Sequence, residues 1–182
     1  MRILVLSLAL AFVPALVAAQ AASDLPPQQV RDAPGSAAWT PSEAQARRLV
    51  RQTDDYLSAK AQGRFADAYA VFAPSQKQAV PFDRWHADLE RFNAKAGPFE
   101  GRSLTKLTWY RNSPGEQPGV YVAADFRDQF RDLSLHCGYV AWRQRMDGSF
   151  EVVHEEENTI EKSVAARMSP EQLQRARTAF KC

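Results

Sequence analysis

Cysteine and histidine are scarce in this chain, two and three respectively in 182 residues. No Cys-x-x-Cys is present, which removes the usual dithiol motif, and no Gly-rich phosphate loop or Gly-x-Ser-x-Gly elbow occurs, which removes the common nucleotide-binding and hydrolase signatures. No unit recurs at a length that would build a solenoid. Charge of one sign is equally sparse. There are 23 basic and 21 acidic residues, and no like-charge block longer than Glu155-Glu156-Glu157. Such a balance argues against a nucleic-acid or anionic-lipid partner, and the acidic triplet reads as a solvated strand end.

Only one long apolar run exists, Ile3 to Val17, preceded by Arg2, interrupted by Pro14 and followed by Ala18-Ala19. It falls short of the roughly 20 residues a spanning helix needs. The pattern is that of a secretory signal peptide, residues 1–19, with the cut expected after Ala19. Losing Arg2 takes the formal charge from +2 to +1. No cysteine follows the cut, so no lipid anchor is expected, and the mature protein is expected in the periplasm or outside the cell. Residues 20–39, rich in Pro, Ala, Gln and Ser, read as a disordered leader, and residues 40–182 as one domain with enough apolar content for a single core.

In an oxidising compartment the two remaining cysteines, Cys137 and Cys182, have one intramolecular pairing. Closing that loop of about 45 residues stabilises the fold by about 4 kcal/mol on the chain-entropy model. The rival reading makes Cys137 a nucleophile activated by His136. Adjacent strand residues point to opposite faces, so the imidazole is badly placed to reach the thiol.

What is present is a run of helices followed by a run of strands. Thr40-Pro41-Ser42-Glu43 carries a capping box, predicting a helix to about Ala61 with Ala46, Leu49, Val50, Thr53, Tyr56 and Leu57 on its apolar face. A short second helix carries Phe65, Ala68, Tyr69 and Phe72. A third, Phe82 to Ala96, places Phe82, Trp85, Leu89 and Phe92 along a stripe that reads as core. After Gly101 the composition turns to β-formers: 103–111, a strand with Val120, Val122, Ala124 and Phe126 alternating, 133–146, and 149–160 after an Asp147-Gly148 hairpin turn. Ser169-Pro170-Glu171-Gln172 opens a last helix that delivers Cys182 back to the sheet. The expected fold is α+β: N-terminal helices packed on a curved four-stranded antiparallel sheet, plus a C-terminal helix.

The segment from Gly115 through Gly119 to Phe130, the following strand, and Asp147-Gly148 with its closing strand resemble small secreted bacterial proteins of the domain-of-unknown-function family numbered four-zero-one-nine. Gly63-Arg-Phe-Ala-Asp-Ala-Tyr69, Trp85 and Gly97-Pro98-Phe99 sit where that family's helical half would put them, so the resemblance covers about Val50 to Ile160. It implies a cone-shaped architecture similar to the nuclear-transport-factor-like and cystatin-like folds, and a periplasmic protein with no assigned activity. It carries over no catalytic residue. Cys137, the 169–180 helix and Cys182 look like a clasp added to the family pattern.

A two-residue turn at Asp147-Gly148 sets Met146 opposite Ser149, and by continuation Ala141 opposite His154, Tyr139 opposite Glu156 and Cys137 opposite Asn158. One face then gathers Tyr139, His154, Glu156 and Asn158, the candidate binding face or pocket. Alternatively these residues form an ordinary hydrogen-bonded sheet surface. No metal site is expected, because His154-x-Glu156 lacks a third ligand, and no cofactor is expected. The sequence therefore points to a non-enzymatic binding or interaction module of the bacterial envelope, taking a small molecule or an envelope protein, with a second copy docked through the open sheet as a further partner. The alternative is a small hydrolase or isomerase using His154 with Glu156 and Tyr139.

Overall fold

The helical pattern ends up on one side of a sheet. In a computed structural model that describes residues 25–33 and 38–182, the order is β1 (Gln28–Asp32), α1 (Glu43–Ala61), α2 (Phe65–Ala70), α3 (Pro74–Ala79), α4 (Phe82–Ala96), β2 (Phe99–Arg111), β3 (Val120–Phe130), β4 (Leu133–Gln144), β5 (Phe150–Glu161), α5 (Lys162–Ala165) and α6 (Pro170–Ala179). The signal sequence read at 1–19 lies outside the described residues. No described helix is long and apolar enough to cross a membrane.

The class is α+β, but the sheet corrects the expected one: it has five strands in the order β1-β2-β3-β4-β5, and β1 joins β2 in parallel. The disordered-leader reading therefore fails over Gln28–Asp32. Those residues carry little apolar signal beyond Val30, and their pairing is made by backbone bonds, with Trp109 Nε1 donating to Gln28 Oε1 at 3.1 Å. An edge strand needs no apolar alternation to pair.

Helix α1 starts two residues later than expected. Ser42, not Thr40, is the cap: its Oγ accepts from the Gln45 backbone at 3.2 Å while the Gln45 side chain accepts from the Ser42 N–H at 2.8 Å. The segment holds two overlapping boxes, and Trp39, edge-on to Trp109 at 6.0 Å, holds the approach to the second extended. Ala46, Leu49, Thr53, Tyr56 and Leu57 are buried as their spacing requires. With Phe72, Trp85, Leu89 and the inward residues Leu107, Trp109, Val122, Ala124, Phe126, Val140, Trp142, Phe150 and Val152 they form the core between helices and sheet.

The β4–β5 hairpin also corrects its expected turn. Arg145 N donates to Ser149 O at 2.8 Å and Gly148 N to Arg145 O at 3.0 Å, so three residues, 146–148, form the loop, with Gly148 in the left-handed region at φ +79°. Pairing then runs Gln144 with Phe150 and Trp142 with Val152. A bulge at Val153 shifts it to Ala141 with His154, Tyr139 with Glu156 and Cys137 with Asn158. The longer loop and the extra residue offset each other, which is why the pairs at the candidate site match the shorter-turn expectation.

Candidate functional site

Alternation along β2 to β5 leaves one face of the sheet turned away from the core. Tyr139, His154, Glu156 and Asn158 lie on it, with His154 and Glu156 exposed and the other two half-buried. The Tyr139 and His154 rings are 5.8 Å apart, and Asn158 Nδ2 donates to Glu156 Oε1 at 3.4 Å. The four do not line a single cavity. Tyr139, Glu156 and Asn158 face a space of about 180 Å³ whose far wall is Phe180 to Cys182. His154 belongs to a neighbouring groove of about 660 Å³ with Tyr110, Tyr121 and Arg143. Tyr110 and Tyr121 are paired across β2 and β3, so the two spaces run along one face. Burial, and after it the Glu156 carboxylate, push the Tyr139 hydroxyl above its ordinary range, which keeps it a neutral hydrogen-bond donor.

One end of this face is crossed by the C-terminal segment. Cys137 and Cys182 lie at disulfide distance, with Cα atoms 6.0 Å apart. Arg127, on the same face of β3, donates to the Cys182 carbonyl. Helix α6 opens with the expected box, Ser169 Oγ accepting from Gln172 N at 3.3 Å and the Gln172 side chain from Ser169 N at 2.7 Å. His136 and Cys137 point to opposite faces: the imidazole is on the helix side, the sulfur on the open side.

The helix side holds a polar cluster that the sequence reading missed. Glu155 and Glu157 flank Glu156 and therefore point inward, correcting the solvated strand end expected for the triplet. Glu155 accepts from the Tyr56 hydroxyl, from Lys60 Nζ at 3.0 Å and from Trp85 Nε1 at 3.3 Å, and Lys60 also donates to Glu157. His136, 4 % exposed, has Nε2 at 3.6 Å from Glu157 and Nδ1 at 3.7 Å from Asp128. Asp128 in turn takes a two-pronged bond from Arg102 at 2.8 and 2.9 Å.

Burial pulls Lys60 down, yet the two carboxylates outweigh it and raise its pKa. Burial pushes Glu157 up, and Lys60 and His136 outweigh it and hold the carboxyl below the ordinary range. Burial and then Glu155 raise the Tyr56 hydroxyl. The space beside this cluster is only about 10 Å³, on the order of one water molecule, so the cluster ties α1 to β5 and offers no room for a substrate. A signal for it existed: Lys60 extends the α1 stripe by one turn, and strand parity alone sends every second glutamate inward.

Among the described residues no group of three or more His, Cys, Asp or Glu side chains is placed to hold a metal ion. A family model described as a protein of unknown function, DUF4019, matches residues 52–154, from the middle of α1 to the bulge in β5. The match stops before Glu155 and leaves out α6 and Cys182. No curated protein and no solved structure matches the chain.

Proposed function

The chain belongs to the DUF4019 family of proteins of unknown function, and from that premise we propose that it is a non-enzymatic binding module whose contact surface is the open face of the sheet. The observation that carries the reading is the polar, tyrosine-lined face from Tyr110 and Tyr121 through Tyr139 and His154 to Glu156 and Asn158, which α1, α2 and α4 leave open by packing on the other side and which the C-terminal segment crosses at one end. Its two spaces together fall within the few hundred cubic ångströms or more that small-ligand sites occupy. Its charges are mostly paired within the protein: Lys106 with Asp125 at 2.9 Å, and Arg143 and Arg145 with Glu151. Such a lining supplies orientation by hydrogen bonds and flat apolar area from the rings. Export, cleavage after Ala19 and action in the periplasm or outside the cell belong to the same reading, as does one domain that takes in β1 together with residue 40 onward.

The alternative, a small hydrolase or isomerase, draws on the closeness of His154 to Tyr139. Against it stands the division of the three groups between two spaces, Tyr139 and Glu156 facing one and His154 the other, so that they do not converge on one reacting atom. The test is a thermal-shift screen of the oxidised protein lacking residues 1–19, followed by backbone amide NMR with each hit. A ligand at 100 times its dissociation constant adds about 2.7 kcal/mol. The reading expects hits that move resonances of Tyr139, His154, Glu156 and Asn158 and that weaken in Tyr139→Ala. Turnover of ester, peptide or glycan substrates that vanishes in His154→Ala would reverse it.

A further inference from the structure

The C-terminal segment sits on the proposed binding face while packing very little against it. No residue of the ten in α6 is buried. Within it only Leu173 and Ala176 are half-buried, and Phe180 at its C-terminal cap continues the same stripe. Space opens on both flanks: about 180 Å³ between Phe180–Cys182 and Tyr139, Glu156 and Asn158, and about 540 Å³ between Gln174, Arg177 and Thr178 and Leu135. A helix this short is marginal in water without packing. Its capping box is internal to the segment and does not attach it to the sheet. Apart from the contact of Arg127 with the Cys182 carbonyl, the bond between Cys137 and Cys182 is what fastens it.

We propose that residues 166–182 form a redox-latched strap over the open face: closed while Cys137 and Cys182 are joined, and swung clear when a dithiol reduces them, which opens the space in front of Tyr139, Glu156 and Asn158 to a longer ligand. The inference rests on the binding reading for what the strap covers, though not for whether it moves. Cys137 is 2 % exposed and Cys182 half-buried, so the incoming thiolate attacks the sulfur of Cys182. The Cys137–Cys182 bond breaks, Cys137 leaves as thiolate and takes up a proton, and the dithiol is held to Cys182 as a mixed disulfide. The dithiol's second thiol, losing its proton, then displaces Cys182, which is protonated in turn. Two electrons and two protons pass to the pair, and the dithiol becomes a disulfide.

The experiment is hydrogen exchange read by mass spectrometry on the protein lacking residues 1–19, oxidised and then treated with dithiothreitol, beside Cys182→Ser without reductant. The expected result is exchange in 170–180 at least about tenfold faster in the reduced protein and in the variant, with β3, β4 and the first half of β5 unchanged. Equal exchange in the oxidised and reduced states overturns the strap. Loss of protection throughout β4 and β5 also overturns it, since the bond would then be holding the sheet and not a cover. Neither outcome needs a ligand, so either can fail while the binding face survives its own test.

Discussion

Lys60 Nζ, in the last turn of α1, lies 3.0 Å from Glu155 Oε2 on β5, a strand separated from it by 95 residues of chain. The ammonium is 7 % exposed and the two glutamates it meets are 17 and 20 % exposed. Replacing Lys60 by Met keeps an unbranched apolar side chain, removes the ammonium that lies 5.3 Å from the Tyr56 ring centroid, and leaves Glu155 and Glu157 without their cation. Removing one partner of a buried pair costs about 3–5 kcal/mol; the glutamates' residual exposure sets the expected loss at the lower end, about 3 kcal/mol. Urea denaturation of Lys60→Met checks this. A midpoint equal to that of the parent would show that the pair contributes nothing.

The second carboxylate that Lys60 meets, Glu157, sets an acid limit. Glu157 has its folded pKa below its unfolded one, so the unfolded chain takes up the proton first. Its contribution is complete above the ordinary glutamate value of about 4.3 and is lost as pH falls from there toward the folded value. Stability measured from pH 7 down to pH 2 is expected to decline below about pH 5, and Glu157→Gln is expected to start lower and decline less steeply. A variant with an unchanged acid slope would remove Glu157 from that account. At the alkaline end the sign reverses for Lys60, whose raised pKa supports the fold up to its ordinary value of about 10.4 and is lost only as pH climbs beyond it toward the folded value.

How much of this was legible follows from the kind of signal each feature leaves. Ala46, Leu49, Thr53, Tyr56 and Leu57, or Val120, Val122, Ala124 and Phe126, announce their elements because burial needs apolar atoms at one period. β1 left no such mark, since it is held by backbone pairing at an edge. The inward glutamates were masked by their own charge, because composition argues for solvent where strand parity argues for the interior. The four open-face residues were placed together through a turn of the wrong length, and only the Val153 bulge restored the count. One wall of the smaller space was legible, since Cys182 was expected beside Cys137, but the groove beside His154 was not, because its far side comes from Ser75 and the 113–117 connection, which carry no periodic signal.

Close approach of β4 to β5 gives a third prediction. A Cβ added at Gly138 would meet the Glu156 carbonyl oxygen at 1.9 Å and the Glu157 Cα at 3.0 Å. Both are backbone atoms, so the strands must part. Gly138→Ala is expected to lose about 3 kcal/mol, at the upper part of the overpacking range, and to shift the amide resonances of Glu156 and Asn158. Full stability in thermal unfolding would mean that the strands separate at little cost.

Arg102 supplies the last. Its guanidinium, 5 % exposed against 3 % for Asp128, forks onto both carboxylate oxygens, and its remaining nitrogen reaches Ser58 Oγ at 3.0 Å and Asp54 Oδ1 at 3.2 Å. One planar group thus joins β2 and β3 to α1. Lysine keeps the charge but has a single nitrogen, which cannot meet two oxygens of Asp128 and also span to Ser58. Arg102→Lys is therefore expected to lose about 1.5–3 kcal/mol, the worth of one charge-assisted hydrogen bond. Arg102→Ala, which leaves Asp128 buried and unpaired by any fork, is expected to lose about 3–5 kcal/mol. Measuring both by chemical denaturation separates the two contributions. If lysine proved equal to arginine, charge alone would suffice beside Asp128; if alanine did as well, the fork would be incidental to the joining of α1 with the sheet.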